Sequence, residues 1–237
     1  MDRRGPRCRS GFAGQDTGPP AGLLGPAEWD TLEQRGHRST YERAQVLFVE
    51  GDAGGSVIAL RAGRAKISVQ TLLGRELLLA VKGPGELLGE MSALDGRPRS
   101  ATAIAMETVQ AVVVSAGAFH EFLHAHPTVT LRLLQALSGE LRDTDKLLAD
   151  RDAGDATSRT ALRLVYLAGR YGEHNSGNTH VGLALTHEDL ASWIGVSREA
   201  TSRALGQLRG AGYIITERRS ITVIDLAGLR RYVADHT

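Results

Sequence analysis

The hydrophobic period of the chain changes at Pro127, and that change limits the fold to a β-rich unit followed by a helical one. Before it, from about Leu23 to Phe119, apolar residues come in short runs at 46–49, 56–60, 65–69, 77–81, 101–105 and 111–114. Gly51, Gly54, Gly55, Gly63, Gly74 and Gly83 separate them, a spacing that predicts short antiparallel strands closed into a barrel or roll. After Pro127, Leu134, Leu137, Leu141 and Leu148 alternate by three and four, with Thr144 in the one remaining slot. Such a seam belongs either to a dimer of long helices or to a single amphipathic helix lying on its own roll, and periodicity alone leaves both open.

Ala153-Gly154 interrupts this helix, and Asp155 is placed to cap a new one that ends at Gly172. Residues 1–22, with Gly5-Pro6 and Gly18-Pro19-Pro20, carry too little apolar surface to order themselves and are expected to form a disordered tail. The expected division is a tail at 1–22, a β-roll at 23–126, a long dimerisation helix at 127–152 and a C-terminal unit at 153–237. No apolar stretch reaches the ~18 residues of a membrane span, and the start lacks a secretory core, so a cytoplasmic protein without membrane partners is expected. The single cysteine, Cys8, excludes a disulfide framework and an iron–sulfur cluster.

Within the C-terminal unit, Thr186 supplies a hydroxyl at a helix N-cap and Asp189 a carboxylate three residues on, followed by an apolar face of Leu190, Trp193 and Ile194. Gly195 permits a tight turn, and Ser197 caps a second helix. On that helix Thr201, Ala204, Leu205 and Leu208 share one face, while Arg198, Glu199, Ser202, Arg203 and Gly206 share the other. Arginine reaches guanine O6 and N7 with two donors and glutamate accepts from cytosine N4, so the polar face has the groups a major groove requires. A solvated face with an ordinary ion pair has the same composition. Two short strands around Glu217-Arg218-Arg219-Ser220 then form a wing whose Arg218 suits phosphate backbone.

Leu185-Thr186, Leu190-Ala191, Gly195-Val196-Ser197-Arg198-Glu199, Arg203, Leu208 and Gly212-Tyr213-Ile214 together resemble the cyclic-AMP receptor protein group of the Crp/Fnr superfamily. The resemblance extends over about residues 23–233. It implies an α+β chain with an N-terminal cyclic-nucleotide-binding β-roll (a double-stranded β-helix), a long dimerisation helix and a C-terminal winged helix-turn-helix. It also implies a homodimeric, nucleoid-associated regulator that binds double-stranded operator DNA at a TGTGA-like palindrome and works with RNA polymerase. Thr186, Ser197, Arg198, Glu199, Ser202, Arg203 and Arg218 are the implied DNA-binding residues.

A second motif runs from Gly85 to Ala101. A glycine that admits close backbone, a one-turn helix and the Arg99-Ser100 pair after Pro98 are anion-binding parts, although on physical grounds alone a surface loop with an ordinary Glu90–Arg99 ion pair is slightly favoured. Gly89-Glu90 followed by Arg99-Ser100-Ala101 is similar to the phosphate-binding cassette of cyclic-nucleotide domains. The resemblance implies cyclic AMP as ligand, with Gly89, Glu90, Met91, Ser92, Arg99 and Ser100 around ribose and phosphate and Thr144 at the base. Asp145, Ala44 and Glu86 depart from the family pattern, which more often has a hydroxyl, a glycine and an aspartate at these places. A site that is vestigial, or that holds haem through His120, His124 or His126, is the alternative. His174, His180 and His187 lack metal-ligand spacing, and no nucleophile accompanies a base in any recognised motif, so neither a metal nor a catalytic residue is expected.

Overall fold

In the computed structural model, residues 22–72, 74–149, 154–175, 178–217 and 220–236 are described, apart from the side chains of 146–149. The tail expected at 1–22 therefore lies outside the described residues but for Gly22, as do Ala153, Arg218, Arg219 and the side chain of the seam residue Leu148.

The N-terminal part forms two antiparallel four-stranded sheets. One has β1 (His37–Tyr41), β8 (Val109–Ser115), β3 (Ser56–Ala62) and β6 (Leu87–Leu88) in that order, so the first strand pairs with the last. The other has β2 (Val46–Phe48), β7 (Thr102–Ala105), β4 (Ala65–Gln70) and β5 (Glu76–Lys82). Ile58, Leu60, Ala65, Leu88, Ala103 and Val109 fill the space between them. The six apolar runs read from sequence all fall on strands of this roll. β1 is not among them: it is an edge strand with mostly exposed polar residues, so its burial leaves no alternation to read.

Helix α1 (Pro26–Arg35) is a further element that the apolar pattern does not announce, although Pro26 at its first turn is a helix-start signal. It buries Trp29 and Leu32 against the first sheet, and the Arg61 guanidinium lies 4.2 Å from the Trp29 ring centre. The one-turn α2 (Glu90–Asp95) follows β6, and α3 (Ala116–Ala125) buries Phe119 and Phe122 in the same cluster. Two histidines are engaged locally: His120 Nε2 is 2.6 Å from the Ala93 carbonyl, and His126, the residue that caps α3, has Nδ1 2.8 Å from that of Phe122.

Ala44 is the non-glycine residue with positive φ among those described, at +66°. It sits in the turn before β2, closed by Gln45 N–H to the Glu42 carbonyl, where a Cβ crowds the following carbonyl. Ala44→Gly is therefore expected to stabilise the chain by about 1 kcal/mol, raising the melting temperature by roughly 2–4 °C. A thermal melt in which the glycine variant unfolds at or below the parent temperature would contradict this account.

The long helix α4 (Pro127–Ala149) does two things at once. Val129 and Leu133 are buried against the roll and Leu137 packs beside them, whereas Leu131, Leu134 and Leu141 are more than half exposed. Beyond it α5 (Ala156–Tyr171) starts where Asp155 accepts hydrogen bonds from Thr157 and Ser158 N–H, and ends at Gly172 as the sequence predicts.

α6 (His187–Ile194), α7 (Arg198–Gly210) and α8 (Leu226–Asp235) pack with α5 on a sheet ordered β11 (Ile214–Glu217), β12 (Ser220–Val223), β10 (Asn178–Val181), β9 (Gly172–Asn175). The wing is thus half of a four-stranded sheet, and His174 lies on a strand of it. This unit is fastened to the roll. Leu78 and Val81 of β5 share a core with Leu164, Leu167, Trp193 and Ile194, and the Ser192 hydroxyl bonds the free edge of β5, donating to the Glu76 carbonyl and accepting from Leu78 N–H.

Candidate functional site

A cavity of about 420 Å³, within the range of small-ligand sites, lies between β5, the turn from β6 into α2, the middle of α4 and the end of α5. All seven residues expected around a nucleotide, Gly89, Glu90, Met91, Ser92, Arg99, Ser100 and Thr144, line it. Gly89 has φ +75°, and a Cβ there would collide with Arg99 Nη1, so only glycine lets the guanidinium lie against this turn.

Arg99 is 5% exposed. Nη1 donates to the Gly89 carbonyl at 2.9 Å, Nη2 donates to the Ser56 carbonyl at 2.7 Å and to its hydroxyl, and the group lies 4.4 Å from the Phe48 ring centre. Its bonds therefore go to backbone and Ser56 rather than to an ion pair with Glu90. Nε is buried without a hydrogen-bond partner, which fits an anion oxygen placed against it. Ser100 beside it is exposed, while the Ser92 hydroxyl donates to the Pro98 carbonyl and closes the loop.

Burial, the largest influence on Glu90, pushes its carboxyl above the usual carboxylate range against the opposing charge of Lys82. Lys82 is itself buried; desolvation works against its charge, yet Glu140, Glu90 and Glu86 outweigh it and hold its pKa above the ordinary value. Its Nζ is paired with a Glu140 carboxylate oxygen of α4. Neither Lys82 nor Glu140 is marked as part of the site by the sequence. The signal there is a charge ending the apolar run 77–81, which reads as the end of a strand. Tyr166 and Arg170 of α5 also line the cavity, from a part of the chain whose pattern shows only a helix. Thr144 faces the cavity with its hydroxyl bonded to the Glu140 carbonyl at 2.9 Å.

The second candidate surface is the outer face of α7. Thr186 and Asp189 form a reciprocal capping box at the start of α6, Gly195 takes φ +75° at its end, and Ser197 caps α7 by accepting from Ala200 N–H. Thr201, Ala204, Leu205 and Leu208 are buried. Arg198, Glu199, Ser202 and Arg203 are exposed, so the division of faces read from the sequence holds except that Gly206 is half-buried. The Glu199 carboxyl is held below its usual range, first by its own backbone N–H and then by the Ser197 hydroxyl, with Arg198 and Arg203 adding to this. His187, to which the sequence assigns no role, stands 3.1 Å from the Ser202 hydroxyl and ties α6 to α7. Among the described residues, no His, Cys, Asp and Glu groups converge as a metal site, and no helix is long and apolar enough to cross a membrane.

Two family matches divide the chain in the same way: a cyclic nucleotide-binding domain over residues 38–126 and a Crp-like helix-turn-helix domain over residues 158–232. A CRP-like cAMP-activated global transcriptional regulator of Mycobacterium tuberculosis is 33% identical over 191 residues, which cover 81% of this chain and 85% of the relative. A cyclic AMP receptor protein of Thermus thermophilus is 31% identical, again over 81% of this chain and 85% of the relative. Among solved structures, a CRP-family transcriptional regulator of Thermus thermophilus superposes with a TM-score of 0.68 at 26% identity, covering 83% of this chain and 96% of the other.

Proposed function

Because this chain belongs to the Crp/Fnr family of DNA-binding transcription regulators and carries that family's cyclic nucleotide-binding domain, we propose that it is a homodimer gated by cyclic AMP that reads a TGTGA-like palindrome. The observation that carries the reading is the convergence of Glu90, Arg99 with its unpartnered Nε, Ser100 and Thr144 on one cavity. In it Arg99 and Ser100 hold the cyclic phosphate, Glu90 accepts from a ribose hydroxyl, Gly89, Met91 and Ser92 shape the turn, and Thr144 meets the base. Cyclic AMP as the ligand is supported by the likeness to the mycobacterial cAMP-activated regulator and the Thermus cyclic AMP receptor protein.

The division is a roll at 23–126, a dimerisation helix at 127–152 and a DNA-binding domain at 153–237. The exposed Leu131, Leu134 and Leu141 of α4 support a twofold partner, because leucines left in water gain from burial against a second copy. Twofold symmetry sets the two α7 helices on half-sites one helical turn apart, a geometry shared by dimeric helix-turn-helix regulators in general and carried over to this chain from them. In each half-site Arg198 and Arg203 face guanine edges, Glu199 accepts from cytosine, and Thr186, Ser197, Ser202 and Arg218 take phosphates. RNA polymerase is the second proposed partner, in the cytoplasm at the nucleoid.

The test is a fluorescence-anisotropy titration of operator and scrambled duplexes with and without cyclic AMP, for the parent and Arg198→Ala. Cyclic AMP is expected to tighten operator binding. Arg198→Ala is expected to cost about 1–3 kcal/mol on the operator and much less on scrambled DNA. Equal losses on both duplexes would remove Arg198 from the groove.

A further inference from the structure

Glu86 stands where the family pattern more often has aspartate, and the extra methylene has a use. Its Oε2 accepts from Gly83 N–H at 2.7 Å and so closes the turn between β5 and β6. Its Oε1 accepts from Arg170 Nη2 at 2.9 Å, with both side chains no more than 20% exposed. Arg170 is on the last turn of α5, the first helix of the DNA-binding domain, and Tyr171 beside it donates its hydroxyl to the Val81 carbonyl at 2.7 Å. Glu86 is also 4.0 Å from Lys82, which is paired with Glu140 on the dimerisation helix. Arg170, Glu86, Lys82 and Glu140 thus form a run of alternating charge that joins the DNA-binding domain, the roll and the long helix along one side of the cavity. Tyr166, one turn before Arg170, adds part of the wall, with its hydroxyl 3.4 Å from Asp143 next to Thr144.

We propose that the Glu86–Arg170 pair is a positioning latch that holds α5 as a wall of the nucleotide cavity, so that nucleotide affinity and placement of the DNA-binding domain depend on each other. This rests on the nucleotide reading above. A ligand shifts a domain only through its different affinity for the two placements, and a cavity walled partly by the moving domain supplies that difference directly. Lys82 extends the link: it offsets Glu90 and Glu140 while lying within reach of Glu86, so a ligand held at Glu90 meets the same charges that fasten Arg170. The pair lies beside the cassette rather than in it, and its contribution is to site closure and coupling.

The experiment uses the full chain. Glu86→Asp keeps the charge and withdraws the carboxylate by one methylene, and Arg170→Met removes the cation but keeps much of the apolar stem. For parent, each variant and the double variant, the cyclic AMP Kd is measured by calorimetry. The ratio of operator affinity with and without cyclic AMP is measured by anisotropy, and a thermal melt checks folding. Each single variant is expected to weaken cyclic AMP and to shrink the affinity ratio by on the order of tenfold. The double variant is expected to be no worse than the single ones, because both remove one interaction. Singles that match the parent within twofold in both readouts, or losses that simply add, overturn the latch. A parent that binds no cyclic AMP overturns the nucleotide reading first and the latch with it. A folded Arg170→Met chain that fails while Arg170→Lys recovers the ratio supports the latch.

Discussion

Arg99→Ala is expected to abolish cyclic nucleotide binding in the micromolar range, with a loss of about 2–5 kcal/mol, or roughly 30- to 5,000-fold in Kd. The size follows from burial. The guanidinium is almost wholly shielded from water, placed over the Phe48 ring, and oriented by the carbonyls of Gly89 and Ser56. A phosphate in this cavity exchanges its hydration for a charge-assisted bond from the unpartnered Nε of a guanidinium already held in place, and truncation removes the positive charge beside it. Because Arg99 also braces the turn, part of the effect is structural, so Arg99→Lys separates the two. Lysine keeps a charge but not the planar fork, and an intermediate affinity is expected. Calorimetry beside a thermal melt decides the matter. A folded Arg99→Ala chain that binds cyclic AMP like the parent would remove Arg99 from the site.

The double substitution Leu134→Glu with Leu141→Glu is expected to convert the proposed dimer into monomer and to weaken binding to the proposed palindromic operator by about 10²- to 10⁴-fold, while binding to a single half-site changes little. Both side chains are more than half exposed in the single chain, at 55% and 63%, so the change removes little packing within one protomer, although Leu141 also borders the cavity. In the proposed dimer each glutamate would meet its own copy, which costs both desolvation and like-charge repulsion. Sedimentation equilibrium gives the assembly state and anisotropy the affinity. A dimer that survives both substitutions would mean that another surface joins the protomers.

The leucine seam shows how far periodicity reaches. Its spacing identifies the helix, and the structure places Leu137 toward the roll and the cavity, leaves Leu134 in water, and sets the largely exposed Leu141 at the border of the cavity. One helix thus has a face packed on its own roll and a leucine face exposed to water, which the proposed dimer would cover, so both arrangements that the spacing allows apply to it. The cassette is legible for a different reason. Gly89, Glu90, Arg99 and Ser100 lie within one loop, so their spacing alone brings them to one lip of the cavity. Residues on the other walls carry no such mark: Arg170 is separated from Glu86 by 84 positions, and Glu140 from Lys82 by 58.

What the sequence determined by itself is everything set by neighbours within a few residues. The Thr186–Asp189 capping box, the Ser197 and Asp155 caps, the turn at Gly195, the two faces of α7 and the strand runs of the roll are local consequences of hydrogen-bonding groups and side-chain period. What only the tertiary structure decided is which of these elements share a wall. That α5 lines the cavity, that Ser192 seals the edge of β5, and that Lys82 is buried among Glu86, Glu90 and Glu140 depend on long-range packing of Leu78 and Val81 against Leu164 and Trp193. Apolar burial has no direction along the chain, so hydrophobic pattern selects which face is covered but not which distant segment covers it.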